Sequence, residues 1–148
     1  MATHAEKMQE SFNQDVANSF IAGNDKQTGL SEYLGIKLLE FSPGKVIAEL
    51  PVDKKLLTPF GNMHGGVLSA FTDHVLGCVC YPQMKKGQWA ATTEFKLNLL
   101  APVSKGMVTA TAEIINMTRS TAVVQIRMEN EGRNCLSAQG TVLIMDPR

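Results

Sequence analysis

The stretch that most constrains the fold is an apolar run from Val67 to Tyr81, which predicts a helix over residues 64–81 that ends before Pro82. Apolar residues go almost all the way round this helix, so it needs to be wrapped by a sheet and not laid on a surface. The run is too short to span a bilayer and contains Asp73 and His74. We therefore expect a buried central helix in a soluble protein, and no membrane partner.

Strand-like stretches before and after this helix supply the sheet. Two precede it, at 36–42 and 45–52, and Ser42-Pro43-Gly44 between them predicts a hairpin turn. Four follow it, at 89–99, 106–116, 121–129 and 134–144. The short links between the strands favour antiparallel pairing. This order of elements predicts an α+β fold in which a single antiparallel β-sheet covers a long central helix.

A further amphipathic helix is predicted near the N-terminus, over residues 5–22. Its apolar positions recur at intervals of four residues, at Met8, Phe12, Val16 and Phe20. Gly23-Asn24-Asp25 ends this helix. We expect it to pack on the outside of the molecule, which divides the chain into an N-terminal helical extension, 1–30, and a main domain, 31–148.

Composition excludes several classes of function. The 148 residues suffice for one domain with an ordinary core. Lys and Arg total 14 and Asp and Glu total 14, so we expect no basic surface for a nucleic acid. The three cysteines are odd in number and lack the spacing of a zinc site, which argues against a metal and for the reducing cytoplasm. Charged residues stand at the N-terminus where a secretion signal needs an apolar core.

The chemistry-bearing residues begin with Asn62-Met63-His64-Gly65-Gly66, at the start of the predicted central helix. A helix start presents unpaired N–H groups that can bind a developing oxyanion, and glycines keep side chains out of a ligand's way. Asp73 follows inside the apolar run, where we expect a buried carboxylate, which is costly. Nine residues of helix rise about 13 Å, so His64 and Asp73 of one chain cannot both touch one reacting carbon. The spacing predicts a site shared between subunits.

Three features of the sequence point to one family. They are Gly61-x-x-His64-Gly65-Gly66, the acid Asp73 on the helix that follows, and the strand Thr92-x-Glu94-Phe95-Lys96-Leu97-Asn98-Leu99-Leu100-Ala101-Pro102. Together they resemble the hotdog-fold thioesterases, most closely the acyl-CoA thioesterases of the phenylacetate-pathway (PaaI-like) type. The resemblance extends over roughly residues 30–145. It implies a hotdog fold, a homodimer that joins two sheets edge to edge, often a dimer of dimers, and an acyl-CoA substrate without a cofactor.

The resemblance also implies a role in thioester hydrolysis for each residue of the motif. Asp73 acts as general base or as nucleophile, two routes that the sequence does not separate. The N–H of Gly66 polarises the thioester carbonyl with the helix dipole behind it, and His64 orients the loop or donates to the substrate. Thr92 holds the attacking water beside the acid. Asp73 of one subunit is then expected to meet Gly66 and His64 of the other.

The loop before the helix supplies further candidates for substrate binding. Gly65 opens the helix, and Phe60 is an apolar side chain for the acyl group. Thr58 stands where relatives often carry an asparagine, six residues before His64. Asn62 lies four positions later, and we expect it to cap the helix instead of taking that role.

Coenzyme A phosphates need cations or N–H groups at the rim of a site. Arg119 and Ser120, at a turn between two later strands, match positions where relatives place basic and hydroxyl residues. Looser options for the phosphates are Lys105, Lys85 and Lys86.

Each of these residues also has a structural interpretation. Asp73 could satisfy a partner in the core, the glycine pair could make a tight turn, and Thr92 could be an ordinary strand residue. His74 projects about 100° round the helix from Asp73, so we expect it to make a core or interface hydrogen bond. The cysteines in the apolar helix, Cys78 and Cys80, are expected to serve as small hydrophobes.

Two other functions remain open for the whole protein. One is a hotdog domain that binds an acyl-CoA without hydrolysing it, and the other is a hotdog dehydratase or hydratase. A pure binder gains nothing from an anion such as Asp73 beside a thioester. The loop pattern of the dehydratases is not found in this sequence. Hydrolysis is therefore the favoured interpretation.

Overall fold

The computed structural model describes residues 1–147 and contains, over that range, four α-helices and six β-strands. The helices are α1 (His4–Ser11), α2 (Gln14–Ala22), α3 (Leu30–Leu34) and α4 (Gly65–Cys78). The strands are β1 (Lys37–Ser42), β2 (Lys45–Pro51), β3 (Trp89–Leu99), β4 (Met107–Met117), β5 (Thr121–Asn130) and β6 (Arg133–Met145). Each end of every strand lies within one residue of its predicted position. The α+β fold class is confirmed.

The strands form one antiparallel sheet in the order β1-β2-β4-β5-β6-β3. Pairing across the short turns is confirmed for β1 with β2, for β4 with β5 and for β5 with β6. It is wrong for β3 and β4, because β3 pairs with β6 at the edge of the sheet. The link after β3 packs instead on the loop before α4, where the N–H of Met63 donates to the carbonyl oxygen of Val103 at 2.6 Å.

Helix α4 packs tightly on the sheet at Gly140 of β6. A Cβ atom there would stand 2.7 Å from the Cβ of Phe95 and 2.8 Å from the carbonyl oxygen of Glu94, and it would overlap the side chain of Leu76. The helix residues that face the sheet are fully buried, among them Phe71, Val75 and Leu76. The missing side chain at Gly140 therefore lets helix and sheet approach closely.

The helix ends at Cys78, three residues before the predicted end, and the chain continues into a 3-10 turn at Tyr81–Gln83. The sheet covers one side of α4 as predicted, but it leaves a strip uncovered on which Gly66 and Asp73 are exposed. None of the helices within residues 1–147 has both the length and the apolar character that crossing a membrane requires.

The N-terminal extension forms two helices where the sequence predicts one over 5–22. The side-chain oxygen of Asn13 accepts hydrogen bonds from the N–H groups of Asp15 at 3.0 Å and Val16 at 3.2 Å, which starts α2. Phe12 is extended, with φ −68° and ψ 125°. Because asparagine is a strong N-cap residue, the local cap overrides the continuous apolar periodicity, and the single-helix prediction is wrong. The division of the chain at residue 30 stays a prediction.

Side-chain amides attach the extension to the outer edge of β1. The amide of Asn24 donates to the carbonyl oxygen of Leu38 at 2.7 Å and accepts from the N–H of Leu38 at 2.9 Å. The amide of Gln27 donates to the carbonyl oxygen of Ile36 at 2.5 Å. These bonds replace those that a further strand would make, so the extension covers the β1 edge of the sheet.

The close approach at Gly140 predicts that Gly140→Ala destabilises the protein by about 1–3 kcal/mol, because the added methyl group overlaps Leu76 and the backbone of Glu94. Urea denaturation of both proteins measures this difference. Gly23→Ala is the matched control, since Gly23 has φ −74° and no heavy atom of the described chain within 4 Å of its added Cβ. Equal stability of Gly140→Ala and the wild type would contradict the packing argument.

Candidate active site

The start of α4 leaves backbone N–H groups available. His64 occupies the N-cap position, and its side chain makes no capping hydrogen bond with any described residue. The N–H groups of Gly65 and Gly66 belong to the first helical turn, whose donors have no partner within the helix. Asn62, predicted to cap the helix, is exposed and precedes the N-cap by two residues. That prediction is wrong, because the cap position falls on His64.

The two glycines at the start of α4 differ in their surroundings. A Cβ on Gly65 would stand 2.7 Å from Cδ1 of Leu99, so packing against the end of β3 excludes a side chain there. A Cβ on Gly66 would have no heavy atom of residues 1–147 within 4 Å. Neither glycine has a positive φ, so a tight turn is not the reason for the pair. Packing within the chain explains why residue 65 is a glycine, but it does not explain why residue 66 is one.

A compact loop precedes this helix start. The N–H of Thr58 donates to the carbonyl oxygen of Asn62 at 2.7 Å, and the N–H of Gly61 donates to that of Thr58 at 2.9 Å. The Thr58 hydroxyl accepts from the N–H of Phe60 at 3.3 Å. The loop is thus held by its own backbone and by Thr58, and the ring of Phe60 is 91% exposed at its tip.

Asp73 lies on the uncovered strip of α4 and is exposed, so the expectation of a buried carboxylate is wrong for the single chain. An apolar pattern on every side of a helix does not tell which side the sheet leaves open. The carboxylate lines a cavity of 440 Å³ between α4 and β3, together with Ser69, Ala70, Thr92, Thr93, Glu94 and Phe95. The structure therefore places Asp73 and Thr92 in one cavity.

A β-bulge shapes the strand side of this cavity. Thr92 lies opposite Val142 and Glu94 lies opposite Thr141, which leaves Thr93 as the extra residue. The bulge interrupts the alternation that separates Thr92 from Thr93, and both threonines line the cavity.

Hydrogen bonds distinguish the polar side chains of the bulge. The Thr93 hydroxyl donates to the carbonyl oxygen of Thr141 at 3.0 Å, and the Thr141 hydroxyl donates to the carboxylate of Glu94 at 2.5 Å. Both Thr93 and Glu94 are therefore tied to the neighbouring strand. Thr92 has no such tie to β6 among the side-chain bonds of residues 1–147.

Sequence reasoning missed Ser69 and Thr93 in this cavity. Ser69 precedes Asp73 by four residues, so helical periodicity alone could have placed both on one face. Its hydroxyl donates to the carbonyl oxygen of Gly65 at 2.8 Å, which links the cavity to the helix start. No signal in the sequence marks the bulge that brings Thr93 in. Over residues 1–147 no three His, Cys, Asp or Glu side chains are grouped closely enough to hold a metal ion.

His64 and Gly66 do not line the cavity of Asp73. From Gly66 to Asp73 the helix rises about 10 Å, which keeps the two parts of the motif apart in one chain. Arg119 and Ser120 lie elsewhere, in the turn between β4 and β5. Arg119 lines a separate cavity of 310 Å³ with Lys85.

Another phosphate candidate, Lys105, stands 3.9 Å from a carboxylate oxygen of Glu131. Lys105 is thus engaged with an acidic neighbour, although its side chain is 78% exposed. An exposed pair of this kind holds its partners only weakly. Of the basic residues considered for the phosphates, Arg119 and Lys85 share one cavity.

The side chains that follow Asp73 on α4 agree with their structural interpretation. Sγ of Cys78 lies 3.6 Å from Nε2 of His74. Burial lowers the pKa of His74 from its ordinary value of 6.5, and the charge of Asp73 opposes this only in part. Burial raises the pKa of Cys78 and of Cys80 to about 12, so both stay protonated thiols at neutral pH.

Comparison with solved structures identifies the fold. A crystal structure of a thioesterase from Haemophilus influenzae matches with a TM-score of 0.79 at 28% identity, covering 84% of this chain and 88% of that one. The E. coli PaaI protein from the phenylacetic acid degradation operon matches with a TM-score of 0.80 at 21% identity, covering 90% and 96%, a likeness of fold alone. The chain has the hotdog fold that the sequence predicts.

Sequence comparison then identifies the family. The family model of the thioesterase superfamily matches residues 60–137, more than half of the chain. The 1,4-dihydroxy-2-naphthoyl-CoA hydrolase of Listeria monocytogenes is 33% identical over 108 residues, which cover 73% of this chain and 88% of that protein. The chain belongs to the thioesterase superfamily, and it is an enzyme that hydrolyses thioesters.

The lowered pKa of His74 predicts that the protein loses stability as the pH falls. The folded state holds the imidazole neutral, whereas the unfolded chain takes up a proton as the pH drops through 6.5. This contribution to stability is complete above 6.5 and is lost below it, toward the folded-state pKa. Urea denaturation between about pH 7 and about pH 5 should show a smaller loss of unfolding free energy for His74→Gln than for the wild type. An equal loss in both proteins would contradict the assignment.

Proposed function

We propose that this thioesterase hydrolyses an acyl-CoA thioester to the free acid and CoA. Asp73 of one subunit serves as general base or nucleophile, and the helix start at His64-Gly65-Gly66 of the partner subunit polarises the carbonyl. The substrate class is supported by the Listeria relative, whose name describes a hydrolase of a CoA thioester.

The observation that carries the proposal is the uncovered strip of α4. It presents two groups to open space: the N–H of Gly66, for which no backbone partner is found within residues 1–147, and the exposed carboxylate of Asp73. Thr92 stands beside the carboxylate in the same cavity. An oxyanion-binding group and an acid at about 10 Å separation serve one reacting carbon only if a second helix, running antiparallel, supplies the missing partner.

A homodimer formed through β3 would provide this arrangement. Strand β3 has β6 as its neighbour on one side, and its other edge is unpaired within residues 1–147. Antiparallel pairing of β3 with β3 of a second copy continues the sheet and sets the two α4 helices side by side. The resulting dimer contains two equivalent sites, and further pairing of dimers leaves this arrangement unchanged.

In the general-base route, Asp73 accepts a proton from a water molecule held by the Thr92 hydroxyl. The water oxygen bonds to the thioester carbon, and the carbonyl oxygen becomes an oxyanion that accepts a hydrogen bond from the N–H of Gly66 of the partner subunit. The C–S bond then breaks, and the proton held by Asp73 passes to the leaving sulfur of CoA.

In the nucleophile route, a carboxylate oxygen of Asp73 attacks the same carbon and the CoA thiolate leaves, which forms a mixed anhydride. Water then hydrolyses the anhydride and restores the carboxylate. The same N–H of Gly66 stabilises the oxyanion in this route. His64 orients the loop in either case.

The loop before α4 and the turn between β4 and β5 are proposed to contact the rest of the substrate. Phe60 is placed at an exposed loop tip, where it can cover the substrate of the other subunit, and Thr58 and Asn62 shape that loop. Arg119 and Ser120 are proposed to bind the CoA phosphates, because phosphate oxygens accept hydrogen bonds from guanidinium and hydroxyl groups.

The cysteines bear on where the enzyme works. Cys78, Cys80 and Cys135 are all free and buried. Free thiols persist in reducing compartments, whereas exported proteins tend to pair their cysteines. We propose that the enzyme is cytoplasmic on this ground.

Replacing the acid should abolish most of the activity. Asp73→Asn keeps the size of the side chain but removes the base, so we expect kcat to fall about 10²–10⁴-fold. Release of free thiol from a panel of acyl-CoA substrates measures the rate. Asp25→Asn, at an exposed position of the extension, is the control and should keep wild-type activity. Full activity of Asp73→Asn would exclude Asp73 as the catalytic acid, and a wild type that cleaves no thioester would favour the binding alternative.

Sharing of the site between subunits can be tested by complementation. Asp73→Asn and Gly66→Val should each be nearly inactive as homodimers. In either variant both sites of the dimer lack one of the two groups, the acid or the oxyanion-binding N–H. When the two variants are unfolded together and refolded, half of the dimers are mixed and each mixed dimer has one intact site, so about a quarter of wild-type activity should return. Each variant refolded alone is the control. A mixture that remains as inactive as its components would show that the site lies within one chain.

A further inference from the structure

A second cavity lies on the other flank of α4, away from β3. It has a volume of 340 Å³, is open to solvent, and lies between the N-terminal extension, β1 and the C-terminal half of α4. Its lining includes Phe20 and Gly23 from the extension, Leu38 from β1, and His74 and Cys78 from α4. None of these residues takes part in the proposed hydrolysis.

The polar groups around this cavity are already engaged. The amides of Asn24 and Gln27, which also line it, are bonded to the backbone of Leu38 in β1 and of Ile36 just before it. The thiol of Cys78 remains protonated and contacts Nε2 of His74. The imidazole is neutral at pH 7, because burial lowers the pKa of His74 below 6.5. The cavity therefore presents uncharged, largely apolar walls.

The cavity begins next to the candidate catalytic acid. His74 follows Asp73 directly, and the two side chains diverge by about 100° around the helix. From Asp73 to Cys78 the helix rises about 7.5 Å. Gly77 lies between them without a side chain, and within the described chain no heavy atom stands within 4 Å of where its Cβ would be. No side chain of the same described chain therefore blocks the path over Gly77 from Asp73 to this cavity.

We propose that this cavity binds the apolar end of a compact acyl group and that the N-terminal extension thereby selects the substrate. This inference rests on the proposed function, since it places the thioester at Asp73. The volume of 340 Å³ lies near the lower limit of ligand pockets, which span about 300–1,000 Å³, so it suits an aromatic or short branched group. Phe20 and Leu38 provide the apolar contacts, and Gly23 leaves the space at the extension open.

Gly23→Leu should fill the cavity without disturbing the fold. Gly23 has φ −74°, which any residue adopts, and nothing in the described chain lies within 4 Å of its added Cβ. Ala22→Leu is the matched control, because it adds the same side chain one residue earlier at an exposed position. Ser19→Phe is a second filling variant from another wall of the cavity, should Gly23→Leu fold poorly.

Binding is measured by calorimetry with phenylacetyl-CoA and acetyl-CoA, in an Asp73→Asn background so that neither probe is cleaved. We expect phenylacetyl-CoA to bind about tenfold or more tightly than acetyl-CoA, since only the former has a group for the cavity. Gly23→Leu or Ser19→Phe should remove this preference and leave acetyl-CoA binding unchanged, whereas Ala22→Leu should keep the preference.

Two results would overturn the inference: equal binding of the two probes by the Asp73→Asn protein, or a preference that survives in both filling variants. Hydrolysis by the otherwise wild-type protein is measured in parallel. Absence of hydrolysis together with a preference that the filling variants remove would overturn the proposed activity and support the cavity as an acyl site.

Discussion

The positions of the candidate catalytic groups depend on one packing contact, the seating of α4 on Gly140. Leu76 lies three residues after Asp73, so its contact with Gly140 fixes the rotation of α4 about its own axis and turns Asp73 toward the uncovered side. On the strand side, Gly140 pairs with Phe95, directly after the bulge at Thr93. A single glycine therefore sets both the helix wall and the strand wall of the Asp73 cavity.

Most of the fold could be predicted from periodicity. Strands β1 to β6 were located within one residue because alternating apolar residues and turn residues are local signals. Two features were missed for physical reasons. The side chain of Asn13 caps a new helix inside an unbroken apolar pattern, and β3 pairs with β6 while the link after it packs on the loop at Met63. At Asn13 the preference for a helix cap competes with the preference for a continuous helix. The partner of β3 is set by tertiary packing, and the signals that locate a strand do not say which strand it pairs with.

The candidate site also contains residues that the sequence predicts and features that it does not. His64, Gly66, Asp73 and Thr92 could be named because motif and spacing are properties of one short stretch or of neighbouring elements. The exposure of Asp73 could not be predicted, because a helix that is apolar on every side does not indicate which side the sheet leaves uncovered. The cavity beside the extension has no sequence signature at all. Its walls come from residues brought together only by the docking of the extension on β1.

That docking also limits how these molecules can associate. The amides of Asn24 and Gln27 occupy hydrogen-bonding groups of Leu38 in β1 and of Ile36 just before it. The start of the β1 edge is thereby occupied, and the edge at β3 has no strand beside it within residues 1–147. A sheet with two open borders could add copies without end, as in a fibril, whereas a sheet with one can accept a single neighbour. If copies pair through β3 as proposed, the extension on β1 would prevent edge-to-edge pairing from continuing beyond two copies.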